Sequence, residues 1–254
     1  AVRDFAEQGI NLFVLDERKY FLGPRSPEMR SYAAYQMLKN HSFDLIHFHD
    51  YKGLGFYSIS AKYQDTAFGD TVMVLQLHGS QVWLQDISSS LVISEEQQKF
   101  DFMEKESVRK ADFVISPSEC MLKFLSNKGF SLTEAKTLVL KNLMSDKDLP
   151  LKVTGKKLAI NNLMANEIIF FGRLNNIKGL QNFCKAISLL NGYLHRNNIC
   201  VTFLGSLCSV DNIPSLGFLA NEGINWKFPL KILSDYDRKQ AVEYVASNEQ
   251  SVVV

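Results

Sequence analysis

Two cations in a short connection are the residues best placed to do chemistry in this sequence. In IIFFGRLNNIKGL (168–180), Arg173 and Lys178 follow an apolar run with the length and composition of a buried strand, and the residues after Gly179 have helical periodicity. Open α/β sheets bind their ligands in such connections. The arginine fork, the lysine ammonium and the amino end of the helix could hold a diphosphate, with Gly172 allowing a sharp turn. The alternative is a solvated basic loop.

A second glycine, Gly205, ends another strand-like run, VTFLGS (201–206). A glycine there permits either the close approach of a ligand to the backbone or only a tight turn, and the sequence favours neither. The glycine-rich fingerprint GxGxxG of dinucleotide-binding folds is absent from the connection that carries Arg173 and Lys178. Its absence argues against a nicotinamide or flavin cofactor.

Histidines and an aspartate end a strand-like run in the first half of the chain, HFHDY (47–51). His47 and His49 alternate, so they point to the same side of a strand, and Asp50 falls at the carboxyl edge of the sheet. A metal site formed by the two histidines is one interpretation, but no third ligand lies nearby in sequence. For His47 we favour a core histidine satisfied by the backbone, and we place His49 and Asp50 in a crevice.

A third histidine follows the next strand-like run, in QLHGSQVW (76–83). Beside His78, Gly79 offers a permissive backbone and Ser80 a hydroxyl group for a hydroxyl-rich ligand. Trp83 could stack on a sugar face or fill the core, and the core is favoured. Two histidine-bearing strand ends in one half of the chain and a basic strand end in the other predict a ligand cleft between two domains.

The elements that must position these residues alternate between strand-like runs and helical patterns. Strands are predicted at 11–16, 43–50, 71–80, 112–116, 137–140, 168–171, 201–205, 224–229 and 251–254. Helices are predicted at 2–9, 32–38, 94–111, 116–129, 180–194 and 235–246. Ser94 and Gln97 have the spacing of a capping box, and Ser116 is the predicted cap of the next helix. The alternation predicts an α/β fold of two facing Rossmann-like domains with parallel sheets.

A polar stretch between the two series of elements sets the predicted domain boundaries. An amino-terminal domain covers residues 1–142, a linker covers 143–165, and a carboxyl-terminal domain covers 166–254. The chain opens inside a helical pattern and stops inside a strand pattern. We therefore expect the first domain to be incomplete at its start and the second at its end.

Composition narrows the choice of class and ligand. The 254 residues are 46 % apolar, and 28 lysines and arginines balance 27 acidic residues, so no overall charge recruits nucleic acid or an anionic membrane. No apolar stretch is long enough to span a bilayer, and the acidic amino end is not a signal peptide, which predicts a soluble, cytoplasmic protein. Peripheral membrane contact stays open. Cysteines without CxxC spacing predict reduced, buried thiols rather than a zinc site: Cys120, Cys184, Cys200 and Cys208.

Taken together, these stretches resemble the retaining glycosyltransferases of the glycogen and starch synthase type, which have the GT-B fold of two facing Rossmann-like domains. FDLIHFHDY is similar to the family's HD stretch, QLHGS to its HG stretch, ADFVISPSE to the strand that ends in serine, and VLKN to the hinge segment. FFGRLNNIKGL is the most specific match, because glycine, arginine, leucine, lysine and glycine all occur at the family's spacing.

The resemblance implies a reaction and roles for individual residues. In such enzymes the arginine and lysine hold the diphosphate of a nucleotide sugar and the histidine of the HG stretch lies by the donor sugar, which places these roles on Arg173, Lys178 and His78. The implied reaction moves a hexosyl group from a nucleoside diphosphate sugar to a carbohydrate or other acceptor hydroxyl with retention. No metal is expected, because the DYD stretch at 235–237 falls in a predicted helix and not at the end of a predicted strand. The resemblance implies no other cofactor. Gly172 and Gly205 would belong to the donor site. The candidates for the acceptor side or cleft are His49, Asp50, Gly79 and Ser80.

The chain also departs from the family pattern. The family's glycine-rich loop would precede Ala1 and its paired-glutamate motif would follow Val254, so we expect little turnover from this chain alone. Leu143 follows the hinge asparagine, where the family often has glycine, and HDY replaces HDW. The alternatives are another enzyme of the same fold, such as a phosphorylase or an epimerase, and a non-catalytic sugar- or nucleotide-binding module.

Overall fold

The computed structural model describes residues 2–20, 26–88, 94–142, 165–248 and 250–254. The chain forms two compact units, Ala1–Asn142 (unit 1) and Leu143–Val254 (unit 2). The linker predicted at 143–165 lies outside the described residues, except for Ala165. Both units contain a parallel sheet whose strands alternate with helices, so the predicted α/β class is confirmed.

Unit 1 is built on a parallel sheet. Its strands are β1 (Leu45–His49), β2 (Val72–Gln76), β3 (Phe113–Ser116) and β4 (Thr137–Val139). They lie in the order β1-β2-β3-β4. Its described helices are α1 (Val2–Glu7), α2 (Glu17–Tyr20), α3 (Pro27–Leu38), α4 (Phe56–Tyr63), α5 (Gln81–Ser88), α6 (Glu95–Lys110) and α7 (Glu119–Asn127). Because every neighbouring pair is parallel, the carboxyl ends of the strands meet at one edge of the sheet.

The core of unit 1 is formed by apolar side chains of the sheet and of the helices packed on it. Met73 and Leu75 of β2 are fully buried. The apolar face of α6 is buried, with Phe100, Met103 and Val108 at most 6 % exposed. This burial fixes the rotation of α6 and therefore which of its side chains face the loops at the carboxyl edge of the sheet.

Helix caps were predicted correctly at one helix and wrongly at the next. Ser94 and Gln97 form the predicted capping box of α6. The cap of α7 is Ser118, whose Oγ accepts the N–H of Met121 at 3.2 Å, and not Ser116. Ser116 is the buried last residue of β3, and its hydroxyl donates to the carbonyl of Ser118. The hydroxyl of Ser116 is therefore occupied before the helix begins.

The strand predicted at 11–16 is not formed. Residues 10–16 have no regular secondary structure, and Phe13 and Val14 are 79 % and 92 % exposed. A strand needs a hydrogen-bonding neighbour, and no described strand pairs with this run, since the edge strand β1 pairs with β2 alone in the described sheet. Apolar composition favours a strand but does not supply its partner.

Unit 2 has a second parallel sheet. Its strands are β5 (Glu167–Phe171), β6 (Cys200–Leu204), β9 (Leu230–Leu233) and β10 (Ser251–Val253), and a small antiparallel pair is formed by β7 (Ser209–Val210) and β8 (Ile213–Pro214). The parallel strands lie in the order β10-β5-β6-β9. The described helices are α8 (Leu180–Leu189), α9 (Asn191–Arg196), α10 (Ser215–Glu222) and α11 (Arg238–Ser247).

Aromatic rings fill one side of the unit 2 core. The rings of Phe170 and Phe183 have centroids 5.2 Å apart, and Trp226 stacks on Phe203 at 6.2 Å and 13°. Trp226 lies in the segment 224–229, which was predicted as a strand; that prediction is wrong, because the ladder with β6 begins only after Pro229. Proline has no N–H to donate to such a ladder.

The helix predicted at 180–194 is divided in two. Leu190 separates α8 from α9 and is 46 % exposed, although its spacing from Ile187 and Leu194 would place it on their face of one continuous helix. The other apolar residues of this face are buried: Leu180, Phe183, Cys184, Ile187 and Leu194.

A buried carboxylate closes the amino edge of the unit 2 sheet. Glu167 is 3 % exposed and accepts hydrogen bonds from the hydroxyl of Thr202, the side-chain amide of Asn248 and the hydroxyl of Tyr244, the last at 2.7 Å. Lys231 lies 3.4 Å from the same carboxylate. Burial raises the pKa of Glu167, but these hydrogen bonds and the charge of Lys231 outweigh it and lower the pKa overall.

The cysteines are free thiols that differ in exposure. Cys184 is buried on α8, as predicted, whereas Cys200 and Cys208 are half-buried. Cys120 is exposed, contrary to the prediction, because the neighbouring Met121 is the α7 residue that enters the core. Within the described ranges, no helix has the length and apolar character needed to cross a membrane.

Candidate functional site

Arg173 and Lys178 lie in the connection between β5 and α8. Asn175 shapes this connection, because its Oδ1 accepts the N–H of Lys178 at 3.1 Å and holds the turn Asn176–Lys178. Both cationic side chains are exposed, and neither has a hydrogen-bond or ion-pair partner among the residues that the structure describes. Positive charges that carboxylates do not neutralise are free to bind an anion.

Two glycines bring the ends of β5 and β6 into direct backbone contact. Gly205 has φ +152°, and a Cβ atom built on it would lie 2.1 Å from the carbonyl oxygen of Gly172. The N–H of Gly172 donates to Leu204 at 3.0 Å, and the N–H of Leu174 donates to Ser206 at 3.0 Å. Gly205 therefore does allow a close approach, but the group that approaches it is the backbone of Gly172, at the base of the loop that carries Arg173.

The cations stand where the strand order of unit 2 reverses. From β5 the chain moves through β6 to β9 on one side of the sheet and then returns to β10 on the other side of β5. In open α/β sheets the connections on either side of such a strand diverge and leave a crevice at its carboxyl end. Arg173 and Lys178 follow β5 and therefore lie at the carboxyl end of the strand where the order reverses.

In unit 1, His49 at the end of β1 and His78 after β2 come together. Nδ1 of His49 and Nε2 of His78 are 2.8 Å apart, so one donates and the other accepts a hydrogen bond. Burial and the charge of His49 lower the pKa of His78, which favours a neutral ring near neutral pH. Both residues are exposed, and their other ring nitrogens have no partner among the described residues and could bind hydroxyl groups.

Asp50 is engaged with the backbone of the loop that carries His78. It is 1 % exposed, and its carboxylate accepts the N–H of His78 at 3.0 Å and that of Gly79 at 3.4 Å. Burial raises the pKa of Asp50 to about 6, although these hydrogen bonds and the charge of His49 oppose the rise. The buried Asp50 therefore holds the backbone of the loop that carries His78 in place.

No protein-family model matches this chain, and no curated protein matches it. Among solved structures, the chain is similar to the sucrose-phosphate synthase from Thermosynechococcus elongatus, with a TM-score of 0.55 and 16 % identity over 87 % of this chain and 53 % of that chain. It also aligns with S. aureus MnaA, solved with UDP, at a TM-score of 0.45 and 10 % identity, over 96 % of this chain and 59 % of that one. The chain thus spans about half the length of the synthase, as its 53 % coverage shows.

The fold is of the GT-B type. The parallel sheet in each unit agrees with the predicted Rossmann-like domains of that fold. The predicted cleft between the two domains stays a prediction.

The other residues of the stretch around His78 contribute to the local structure of unit 1. Ser80 is 1 % exposed, and its Oγ accepts the N–H of Trp83 at 3.4 Å, which caps the start of α5. Trp83 packs edge-on against Phe124, with ring centroids 4.7 Å apart, and contributes to the core. Gly79 has φ +151°, a backbone conformation that glycine adopts readily.

The prediction that His47 is a core histidine satisfied by the backbone is wrong. His47 is exposed and is hydrogen-bonded by the side chain of Gln76. It lies on the exposed face of β1, because successive side chains of a strand point to opposite faces and only the face with Ile46 and Phe48 is buried. Among the described residues, no group of three histidine, cysteine or acidic side chains has the arrangement of a metal site.

One residue of this site was missed in the sequence. Glu104 on α6 is 1 % exposed, and its carboxylate accepts backbone N–H groups of Lys52 and Gln81. Burial, opposed by these hydrogen bonds, raises the pKa of Glu104 to about 8, with the charge of Asp50 adding to the rise. A signal existed: Glu104 lies four residues after Phe100 and four before Val108, on the buried face of α6, where a lone carboxylate needs partners.

Proposed function

We propose that this chain is part of a metal-independent glycosyltransferase. In this proposal a hexosyl group moves from a nucleoside diphosphate sugar to an acceptor hydroxyl with retention of anomeric configuration. The observation that carries the proposal is the pair of exposed cations Arg173 and Lys178, which have no ion-pair partner among the described residues. They follow the carboxyl end of β5, where the strand order reverses.

The chemistry of the cations fits a diphosphate better than a single carboxylate. Arginine offers a planar fork for two phosphate oxygens, and lysine adds a movable point charge. When a sugar leaves a nucleoside diphosphate, negative charge grows on the leaving group, and preorganised donors stabilise that charge in the transition state. Removing one such donor costs about 3 to 4 kcal/mol in well-studied enzymes.

Metal independence is proposed because the protein itself supplies positive charge where the diphosphate would lie. Divalent ions in other transferases stabilise the leaving oxygens by the same electrostatic means. Retention is the stereochemistry implied by the sequence resemblance to glycogen and starch synthase-type enzymes. The GT-B fold supports the proposal by analogy, because an enzyme named for the synthesis of sucrose phosphate shares it.

The proposed partner of the sugar is the histidine pair of unit 1. His78 and His49 share a hydrogen bond, and within the part of the chain that the structure describes their other ring nitrogens have no partner. The lowered pKa of His78 favours a neutral ring. A neutral imidazole can donate to or accept from a sugar hydroxyl, whereas an imidazolium can only donate. We assign His78 to the donor sugar and His49 to the neighbouring hydroxyls.

A ligand panel tests the proposed function directly. The thermal stability of this chain would be measured with uridine, guanosine and adenosine diphosphates, with their sugars, and with the matching nucleosides as controls. A ligand at about 100 times its Kd stabilises the folded protein by about 2.7 kcal/mol, which a melting curve detects. We expect stabilisation by at least one diphosphate and by none of the nucleosides. If no diphosphate stabilises the chain, the proposal is wrong.

A second assay separates catalysis from binding alone. Each stabilising nucleotide sugar, labelled in the sugar, would be incubated with an oligosaccharide mixture, and transfer of the label to the oligosaccharides would be measured. Transfer supports the transferase. Diphosphate binding without transfer, in a protein that carries all the required segments, indicates a non-catalytic nucleotide-sugar-binding module instead.

A further inference from the structure

Glu104 is a buried carboxylate that two separate loops of unit 1 share. Its Oε1 accepts the N–H of Lys52, in the turn after β1, at 3.0 Å. Its Oε2 accepts the N–H of Gln81, at the start of α5, at 2.7 Å. Because each oxygen serves one loop, a single side chain on α6 fixes the separation of the two loops.

Both loops carry residues of the histidine site. The turn Tyr51–Gly53 follows directly after His49 and Asp50, and the loop between β2 and α5 contains His78. Asp50 accepts the N–H groups of His78 and Gly79, so together with the Gln81 N–H bound by Glu104, two carboxylates hold three N–H groups of the four-residue segment from His78 to Gln81.

The turn after β1 needs this support. Lys52 has φ 55°, a left-handed conformation that is unfavourable for a residue with a side chain. Gly53 follows with φ 61°, and a Cβ atom there would lie 2.5 Å from Cβ of Met103. The turn is therefore held tightly against α6, and the Lys52 N–H that points into this contact finds its acceptor in Glu104.

The carboxylate of Glu104 is not placed where it would stabilise the fold most. Glu104 lies near a second buried carboxylate, Asp50, and near Asp101 of its own helix, and both raise its energy as an anion. The cationic group of Lys52 lies over the ring of Phe100, at 5.1 Å from its centroid, and forms no ion pair with Glu104. An apolar side chain would suit such a position better unless the two N–H groups require an acceptor.

We propose that Glu104 is a positioning residue of the histidine site: it holds the turn after β1 and the loop after β2 at the separation where His49 and His78 share their hydrogen bond. As a contribution to sugar binding this role rests on the proposed function, whereas the positioning of His78 is a property of unit 1 itself.

The test uses Glu104→Gln, which keeps the size of the side chain but has one acceptor oxygen and an NH₂ group. One of the two N–H groups then loses its acceptor and faces a donor. Imidazole titrations and backbone amide exchange would be followed by NMR in the whole chain. Glu167→Gln, a buried carboxylate of unit 2 with several partners, is the matched control for general destabilisation.

In Glu104→Gln we expect amide exchange at Lys52 or Gln81 to accelerate by about tenfold or more, the factor that corresponds to about 1.4 kcal/mol. We also expect the hydrogen bond between His49 and His78 to be lost and the pKa of His78 to move up toward its ordinary value. Glu167→Gln should leave His49 and His78 unchanged.

A folded Glu104→Gln protein in which the titration of His78 is unchanged would overturn the proposal. If this variant does not fold, Glu104→Asp keeps the charge but shortens the reach, and the same changes at His78 are expected. Nucleoside diphosphate binding by the parent chain and by Glu104→Gln would be measured in parallel. If the parent chain binds no diphosphate, the proposed function fails while the NMR result still decides the role of Glu104.

Discussion

The backbone of Gly205 packs against the carbonyl group of Gly172 so closely that a Cβ atom on Gly205 would lie 2.1 Å from that oxygen. This contact joins the carboxyl ends of β5 and β6 and forms the base of the loop that carries Arg173. No L-residue with a side chain fits there without displacing the loop, and the φ of +152° adds to the strain.

Gly205→Ala is therefore expected to destabilise unit 2 by about 2 kcal/mol or more, because the methyl group meets backbone atoms and not a flexible side chain. Chemical denaturation followed by Trp226 fluorescence, with Trp83 replaced by phenylalanine, would measure the change. Weaker diphosphate binding should accompany it, since the Arg173 loop must move.

Gly217→Ala is the matched control in the same unit. Gly217 lies inside α10, and a Cβ atom there would make an ordinary contact of 3.7 Å with Ile213. This substitution should stabilise the helix by roughly 0.5 to 1 kcal/mol. Equal effects of the two substitutions would show that the contact between Gly205 and Gly172 is not a constraint.

The buried acids of unit 1 give its stability a specific pH dependence. Burial raises the pKa of Asp50 to about 6 and that of Glu104 to about 8, so the folded chain keeps protons that the unfolded chain releases. The free energy of unfolding should therefore fall as the pH rises from about 4 to about 8, with the upper part of the fall due to Glu104. Glu104→Gln should flatten that upper part, a change on the order of 1 to 3 kcal/mol.

Urea unfolding at several pH values, followed by Trp83 fluorescence with Trp226 replaced by phenylalanine, would measure this slope. The hydrogen bond lost in Glu104→Gln lowers the free energy of unfolding at every pH. Only the slope of that free energy against pH therefore reports the pKa of Glu104. Glu96→Gln, an exposed position on the same helix, should keep the slope of the parent chain. A parallel shift of the whole curve in Glu104→Gln, with the slope unchanged, would contradict the raised pKa.

The location of residues at or just after the carboxyl ends of strands could be predicted from the sequence. Arg173, Lys178, His49 and His78 follow apolar runs that became β5, β1 and β2, and the carboxyl edge of a parallel sheet gathers such residues. The fold class was predictable for the same reason, because the alternation of strands and helices is a local property of the sequence.

Residues whose role depends on a distant partner could not be predicted. The bond between Glu104 and Lys52 joins positions 52 residues apart, and the run 11–16 lacks a strand to pair with in the described sheet. His47 was assigned to the core because an isolated apolar strand does not show which of its faces will be buried. Ser118 and not Ser116 caps α7, because Ser116 is the last residue of β3 and the helix can begin only after it.

His78 should contribute to the binding of the sugar and not of the diphosphate. His78→Ala is expected to weaken binding of the nucleoside diphosphate sugar by about 0.5 to 1.5 kcal/mol, the contribution of one hydrogen bond. The Kd of the diphosphate alone should stay the same, and isothermal titration calorimetry would measure both. His41→Ala, an exposed histidine of the same unit, is the control. Equal losses for both ligands would remove His78 from the sugar site.

Diphosphate binding should not depend on a divalent ion, because Arg173 and Lys178 supply the positive charge. Calorimetric titrations with excess chelator and with added Mg²⁺ or Mn²⁺ should give the same Kd. Raised salt should weaken binding under both conditions, since the charges are exposed and are screened by ions. Binding that disappears with the chelator and returns with the metal would contradict metal independence.

The most direct test of the central claim is calorimetric titration of a nucleoside diphosphate into the parent chain, Arg173→Ala, Lys178→Ala and Lys185→Ala. Lys185 is an exposed lysine on α8 and controls for the loss of one positive charge. Arg173→Ala and Lys178→Ala should each weaken binding by about 1.5 to 3 kcal/mol, roughly tenfold to 150-fold in Kd, and Lys185→Ala should bind as the parent chain does. Unchanged affinity in both Arg173→Ala and Lys178→Ala would place the diphosphate elsewhere and contradict the account.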